Sequence, residues 1–277
     1  MKRYCLPVCA LALVAVWGAG PAQELDTIIR NGRVLDGSGN PFFYADVGIR
    51  GDQIVALGDL EGAQATRVVD AAGHYVTPGF IGLHEHVDSD ILAGANRVTN
   101  YTTQGFTTLV INADGLFGGI WPLSEQREAF EKIGNAPNLV PLVGHGVVRR
   151  LVMGEEPHEV MRHATADEIE RMRELVRQGM EEGAFGLSTG LEYNPMRYSA
   201  EEELQELAKV VAEYGGHFQA HMRSQGRYSK WLLPSHMDHP TQRHVDWLDA
   251  IMEVINVGRV AGLPVMLDHI HPKGPRE

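Results

Sequence analysis

Histidine is the residue type with the most chemistry to offer in this sequence. The 277-residue chain carries 13 of them. Two stand one residue apart in the run Pro78-Gly79-Phe80-Ile81-Gly82-Leu83-His84-Glu85-His86-Val87-Asp88. In an extended strand, residues i and i+2 face the same way. His84 and His86 then present two imidazoles side by side, with Glu85 pointing away. Imidazole is a common neutral metal ligand and suits zinc. A bare His-x-His also fits two solvated side chains on an exposed loop, and three more histidines shift that balance. His145, His221 and His269 each directly follow an apolar run: Leu142-Val143-Gly144, Phe218-Gln219-Ala220 and Met266-Leu267-Asp268. In a βα barrel the strand C-termini gather on one face, and the site is built there. Four strands that deliver histidines to one rim point to a metal site rather than to packing. His74, His158 and His163 lie in turn or helix-start contexts, and His217 opens a strand at the wrong end.

These side chains need a scaffold, and the sequence supplies two kinds of pattern. Residues 23–77 read as a small β unit of sandwich type, with Ile- and Val-rich runs over 27–35 and 46–57 and another strand over 67–75. Asn31-Gly32 and Gly51-Asp52 are hairpin turn signals within it. Past Pro78-Gly79 the rhythm changes to apolar runs alternating with amphipathic helices. The runs cover 107–111, 139–143, 185–188, 217–220 and 264–267. Thr165 with Glu168, and Ser199 with Glu202, form capping boxes that open two helices. Val245, Leu248, Met252 and Ile255 mark a third, ended by Gly262. Strands alternating with helices imply a parallel sheet. The fold class expected is α/β: a TIM-like (β/α) barrel over 78–277, incomplete at about six strands. A polar, aromatic insertion near 227–244 holds His236, His239 and His244. The sequence stops in Pro272-Lys273-Gly274-Pro275, just past the sixth strand.

Composition and charge narrow the function classes. With 44% hydrophobic and 22% charged residues the chain is of globular type. Its formal charge of −12 lacks the basic footprint of a nucleic-acid binder. Lys2 and Arg3, an apolar stretch over 5–19 and small residues at Gly20-Pro21-Ala22 read as a signal peptide over 1–22. The expectation is a secreted or periplasmic protein without stable membrane association after cleavage. Both cysteines, Cys5 and Cys9, lie in that segment, so the mature chain has no thiol ligand.

Pro-Gly-Phe-Ile ahead of His-x-His, after a small β unit, resembles the amidohydrolase superfamily. The runs Gly144-His145-Gly146-Val147-Val148-Arg149, Gly186-Leu187-Ser188-Thr189-Gly190-Leu191 and His221-Met222-Arg223 narrow the likeness to its D-aminoacylase branch. The resemblance implies a metal-dependent hydrolase that deacylates N-acyl-D-amino acids with one or two divalent ions, Zn2+ foremost. It implies His84 and His86 at one metal position, and His221 and His269 at the other. Where the branch has a cysteine ligand this chain has Asp114, a carboxylate able to bridge two metals. Asp114 also fits a plain turn residue ahead of Gly115. Substrate contacts follow from the same likeness: His145 or Tyr193 at the acyl oxygen, Arg223 or Lys273 at the α-carboxylate, and His271 in place of a branch lysine. The branch's catalytic aspartate ends an eighth strand and is expected beyond residue 277. None of the five lysines falls on the fourth strand near Ser188, which argues against hydantoinase-like and dihydroorotase-like chemistry. A dipeptidase, another linear or cyclic amidase, and an inactive metal-binding fragment stand as alternatives.

Overall fold

The computed structural model describes residues 25–95, 97–115, 120–225 and 247–270. The expected signal peptide, the insertion near 227–244, His271 and Lys273 fall outside the described residues. The chain divides into two compact units after Pro78.

In the first unit β1 (Leu25–Val34), β2 (Phe43–Arg50), β3 (Gln53–Gly58), β4 (Ala65–Asp70) and β5 (Tyr75–Val76) form one five-stranded sheet. A sandwich needs two stacked sheets, and the described strands make one. Gly51-Asp52 turns the chain between β2 and β3, as expected for a hairpin. Asn31-Gly32 does not turn it. Between the pairs Ile29↔Val47 and Gly32↔Ala45, Arg30 and Asn31 face Asp46 alone, which is a β-bulge inside β1. Asn31 takes a left-handed backbone, φ 58°, that asparagine tolerates. The same local chemistry that starts a hairpin here adds a residue to a continuing strand.

The second unit alternates strands and helices. It runs β6 (Phe80–Gly82), α1 (Asp88–Leu92), α2 (Thr99–Thr102), β7 (Phe106–Ile111), α3 (Leu123–Ile133), β8 (Asn138–Pro141), β9 (Val143–Gly144), α4 (His145–Met153) and α5 (Pro157–Val160). It continues with α6 (Ala166–Glu181), β10 (Gly186–Gly190), α7 (Glu201–Glu213), β11 (His217–His221), α8 (Trp247–Ala261) and β12 (Val265–Asp268). All strand pairs are parallel, in the orders β6-β7-β8 and β9-β10-β11-β12. The expected strand over 139–143 is broken at Leu142: its first part pairs with β7 and its second with β10. Consecutive strands thus stay neighbours along an incomplete barrel wall.

The core lies between these strands and the helices. Leu187, Phe218 and Ala220 are fully buried, as suits strands covered on both faces. Met172 and Val176 of α6 pack into the same cluster, each burial stabilising by roughly 1.5–3 kcal/mol. Thr165 accepts from the Glu168 amide and Glu168 accepts from the Thr165 amide, the expected capping box. The second box does not form. Ser199 Oγ donates to the Met196 carbonyl at 2.6 Å, and Ala200 occupies the cap of α7.

Candidate metal centre

The histidine pair lies just past β6, not within it, yet its Nε2 atoms approach to 3.2 Å. The Glu85 amide donates to the Val110 carbonyl and holds this turn against β7. After β7 the chain makes a tight 3-10 turn, Ala113–Gly115, with Asn112, Asp114 and Gly115 all at positive φ. Such a backbone needs outside support. Asn112 Nδ2 donates to Gln126 and to the Leu142 carbonyl, while Ser188 Oγ accepts from the Gly115 amide and donates to the Asn112 carbonyl. A Cβ on Gly190 would lie 2.8 Å from the Asp114 carbonyl, and one on Gly115 would lie 2.8 Å from the Ser188 carbonyl. The Gly-Leu-Ser-Thr-Gly-Leu run is therefore a cradle: a hydroxyl to bind the turn and bare glycines to let it close in.

The cradle aims Asp114 at four imidazoles. Its Oδ1 lies 3.6 Å from His84 Nε2 and from His221 Nδ1, and its Oδ2 lies 3.5 Å from His86 Nε2. His221 ends β11, and the His269 ring, just past β12, sits 4.8 Å from the rings of both His84 and His221. One ligand atom from each of His84, Asp114 and His269 falls within 4.8 Å of the others. The contacts to Asp114 are too long for hydrogen bonds, and among the described residues its buried Oδ1 has no hydrogen-bond partner. A buried carboxylate oxygen facing several ring nitrogens is costly unless a cation joins them. This nitrogen and oxygen donor set fits a borderline ion such as zinc.

The same crowding shifts the titration of these groups. Burial opposes ionisation of Asp114, but the imidazoles of His221 and His86 outweigh it and hold the carboxyl well below its ordinary range. Burial likewise opposes charge on His84 and His221, and the carboxylates beside them outweigh it and raise both. His269 goes the other way, lowered by burial and then by the neighbouring His221 and His84. Burial, with Asp114 and Glu192 nearby, pushes Tyr193 up to about 12, so its phenol keeps its proton. Its Oη lies 3.1 Å from His221 Nδ1.

Sequence reasoning missed an outer ring of groups. Asp268 lies 3.0 Å from His84 Nδ1, and Gln219 joins Asp268 to the Leu83 carbonyl. Glu192 and Gln225 face the far nitrogen of His221. Strand alternation could have found Gln219, two residues before His221 on β11 and so on the same face.

Two expected substrate contacts are engaged elsewhere. His145 is fully buried, with Nδ1 on Thr189 Oγ1 at 2.9 Å and Nε2 on Glu203 at 2.7 Å. Glu203 also takes both contacts from Arg149 at 2.5 Å, making a buried triad of scaffold groups. The Arg223 guanidinium is committed to Glu253 and to the carbonyls of Arg197 and Ser199. Neither side chain is open to a ligand. Beside His84 and His86 lies a cavity of about 640 Å³, bordered by Glu85, Asp90, Arg97, Asn100 and Tyr101.

Comparison with known proteins accords with this arrangement. A sequence model described as the amidohydrolase family matches residues 67–256. D-aminoacylase of Alcaligenes xylosoxydans xylosoxydans is 31% identical over 90% of this chain and 51% of its own length. N-acyl-D-glutamate deacylase of the same organism is 32% identical over 89% and 50%. The solved N-acyl-D-glutamate deacylase of Bordetella bronchiseptica, complexed with zinc and a phosphonate inhibitor, superposes with a TM-score of 0.73 at 28% identity, over 88% of this chain and 51% of that one. The chain spans about half the length of the curated relatives it matches. With the family model covering most of the sequence and the strand-end histidines gathered on one carboxylate, the chain belongs to the amidohydrolase family.

Proposed function

We propose that the protein is a metal-dependent hydrolase that cleaves the linear amide bond of N-acyl-D-amino acids. The observation that carries this reading is the convergence of His84, His86, His221 and His269 on Asp114. The named activities of the two Alcaligenes relatives support the substrate class. In the reaction the acyl C–N bond breaks, the oxygen of water joins the acyl carbon, and the amine nitrogen takes a proton. A divalent metal, when bound, supplies a Lewis acid for the carbonyl and makes hydroxide available at neutral pH. The four imidazoles and Asp114 would hold it. Tyr193, kept as a phenol, donates a hydrogen bond toward the acyl oxygen as negative charge develops there. The cavity beside His84 and His86 is of the size that takes a small organic ligand. With Arg223 engaged by Glu253, the exposed Arg97 on that cavity's border is the cation for the substrate carboxylate.

The deciding experiment follows free amine released from matched N-acyl-D- and N-acyl-L-amino acids, before and after metal is stripped and restored. Release from the D series that disappears with metal and returns with zinc is expected. An unchanged rate in the stripped protein defeats the mechanism. Export is part of the same reading, supported by Lys2, Arg3 and the apolar stretch over 5–19. N-terminal sequencing of the exported protein should start just past Ala22.

A further inference from the structure

The two backbone segments that close on Gly115 are tied to each other by one buried imidazole. We infer that His145 is a positioning residue: its ring staples the head of α4 to β10, and so sets the walls that hold Gly115, and with it Asp114, in front of the metal-facing imidazoles. The inference rests on the metal reading above and adds to it a residue set back from the ion.

Gly115 directly follows Asp114, so whatever fixes its backbone fixes the base of that side chain. A Cβ on Gly115 would stand 2.8 Å from the Ser188 carbonyl, 3.1 Å from Thr189 Cα and 3.2 Å from the His145 amide nitrogen. The turn is thus boxed in by β10 on one side and by the first residue of α4 on the other. β9 and β10 pair at Leu187↔Val143 and Ser188↔Gly144. One residue further on, α4 begins and its chain turns away from the sheet. The spacing between Thr189 and His145 then passes from strand pairing to side chains, where Thr189 Oγ1 meets His145 Nδ1 at 2.9 Å. Strand alternation puts this hydroxyl on the opposite face of β10 from Ser188 Oγ, which binds the turn itself.

The staple has one sense and one anchor. His145, Thr189 and Glu203 are all fully buried. Burial, with Arg149 and Arg223 nearby, outweighs Glu203 and holds the His145 ring below its ordinary range. Burial also opposes ionisation of Glu203, but the His145 hydrogen bond and then Arg149 outweigh it and keep the carboxylate charged. A neutral imidazole has one N–H and one lone pair, and a carboxylate only accepts. Glu203 Oε1, 2.7 Å from Nε2, therefore takes the ring proton, and Thr189 donates to the lone pair on Nδ1. Glu203 is itself immobilised. Arg149 Nη1 reaches both of its oxygens at 2.5 Å, and Arg149 Nη2 donates to the Val160 and Arg162 carbonyls at 3.1 and 2.6 Å. The ring is braced on α7 and α4, and any swing away from Thr189 leaves buried polar atoms unpaired.

The test compares Thr189→Val, which keeps the side chain's shape and loses the hydroxyl, with Thr189→Ser, which keeps the hydroxyl. Co2+ is the probe, read by competition with a chromophoric chelator and by its visible absorption band. Thr189→Val should weaken Co2+ binding by about tenfold, the low end for removing a group behind a metal ligand, and shift the band as Asp114 moves. Thr189→Ser should recover most of both changes. Thr165→Ala, at the start of α6, controls for lost stability and should keep the wild-type affinity and band. Wild-type behaviour in Thr189→Val, no recovery in Thr189→Ser, or an equal loss in Thr165→Ala each overturns the inference and leaves the proposed function standing. A wild-type protein that binds no Co2+ overturns both. Should Thr189→Val fail to fold, a two-bond 1H–15N correlation spectrum of the wild type with 15N-labelled histidine decides. His145 should carry its proton on Nε2 with and without zinc. A proton on Nδ1, or coordination of the ion by His145, overturns the inference.

Discussion

Asp114 is the residue on which the site turns, and its substitutions should sort by ligand chemistry. Asp114→Ala removes the carboxylate that faces His84, His86 and His221 together. It should reduce metal to well below one equivalent per chain by elemental analysis. Asp114→Cys restores a ligand of softer type, so metal uptake should persist with preference moved toward zinc. Its cobalt form should gain a near-ultraviolet thiolate band that wild type lacks. Glu168 offers a prediction in pH. Arg162 chiefly holds its carboxyl at about 2, against an ordinary 4.5. A depressed carboxyl contributes stability in full above its unfolded value and loses it as pH falls through the folded one. The advantage of wild type over Glu168→Gln in urea unfolding should hold above pH about 4.5 and shrink toward pH 2; glutamine still serves the capping box. The metal-facing histidines were readable because few other uses gather imidazoles from three strand ends; His145, after a fourth apolar run, joins the scaffold instead. Glu192 and Asp268 were not, because carboxylates have many ordinary roles and only the folded chain shows what they touch; Gln219 was within reach of strand alternation from His221.

At the scale of elements, the turn over Ala113–Gly115 depends on one hydroxyl of β10. Ser188→Ala leaves the Gly115 amide buried and unpaired, which costs about 1–3 kcal/mol in chemical denaturation. It should weaken metal binding as well, since the turn that presents Asp114 loosens. Thr165→Ala, far along the chain at the start of α6, should cost about 1 kcal/mol of stability and leave metal affinity unchanged. The two capping-box readings show how far local sequence reaches. Thr165 and Glu168 bond reciprocally even though Arg162 also donates to the Glu168 carboxylate. Ser199 meets the Met196 carbonyl first, in the short helical turn just before α7. The Asn31-Gly32 bulge makes the same point: pairing with β2 and β4 overrode a turn signal.

Across the whole second unit, the alternation of strands and helices was legible from periodicity. The break at Leu142 was not, since it depends on which neighbour each half of the strand meets. The proposed ligands run from His84 to His269, so the site has no counterpart in the unfolded chain. A metal that binds only the native state stabilises by about 2.7 kcal/mol at a hundredfold excess over Kd. Chelator should therefore lower Tm, and zinc should restore it in a concentration-dependent way; a Tm indifferent to both would contradict a metal held by these groups.

The crowding around Gly115 and Gly190 has a consequence for how this centre can diversify. Neither position has room for a methyl group, while the side chain at 114 projects into space that an ion can share with several donors. A saturation library should then show two opposite tolerances a few residues apart: position 114 accepting alternative donors with altered ion preference, and positions 115 and 190 accepting only glycine. The mould is frozen and the casting is free to vary, so new ion selectivity can arise by a single codon change without rebuilding the walls.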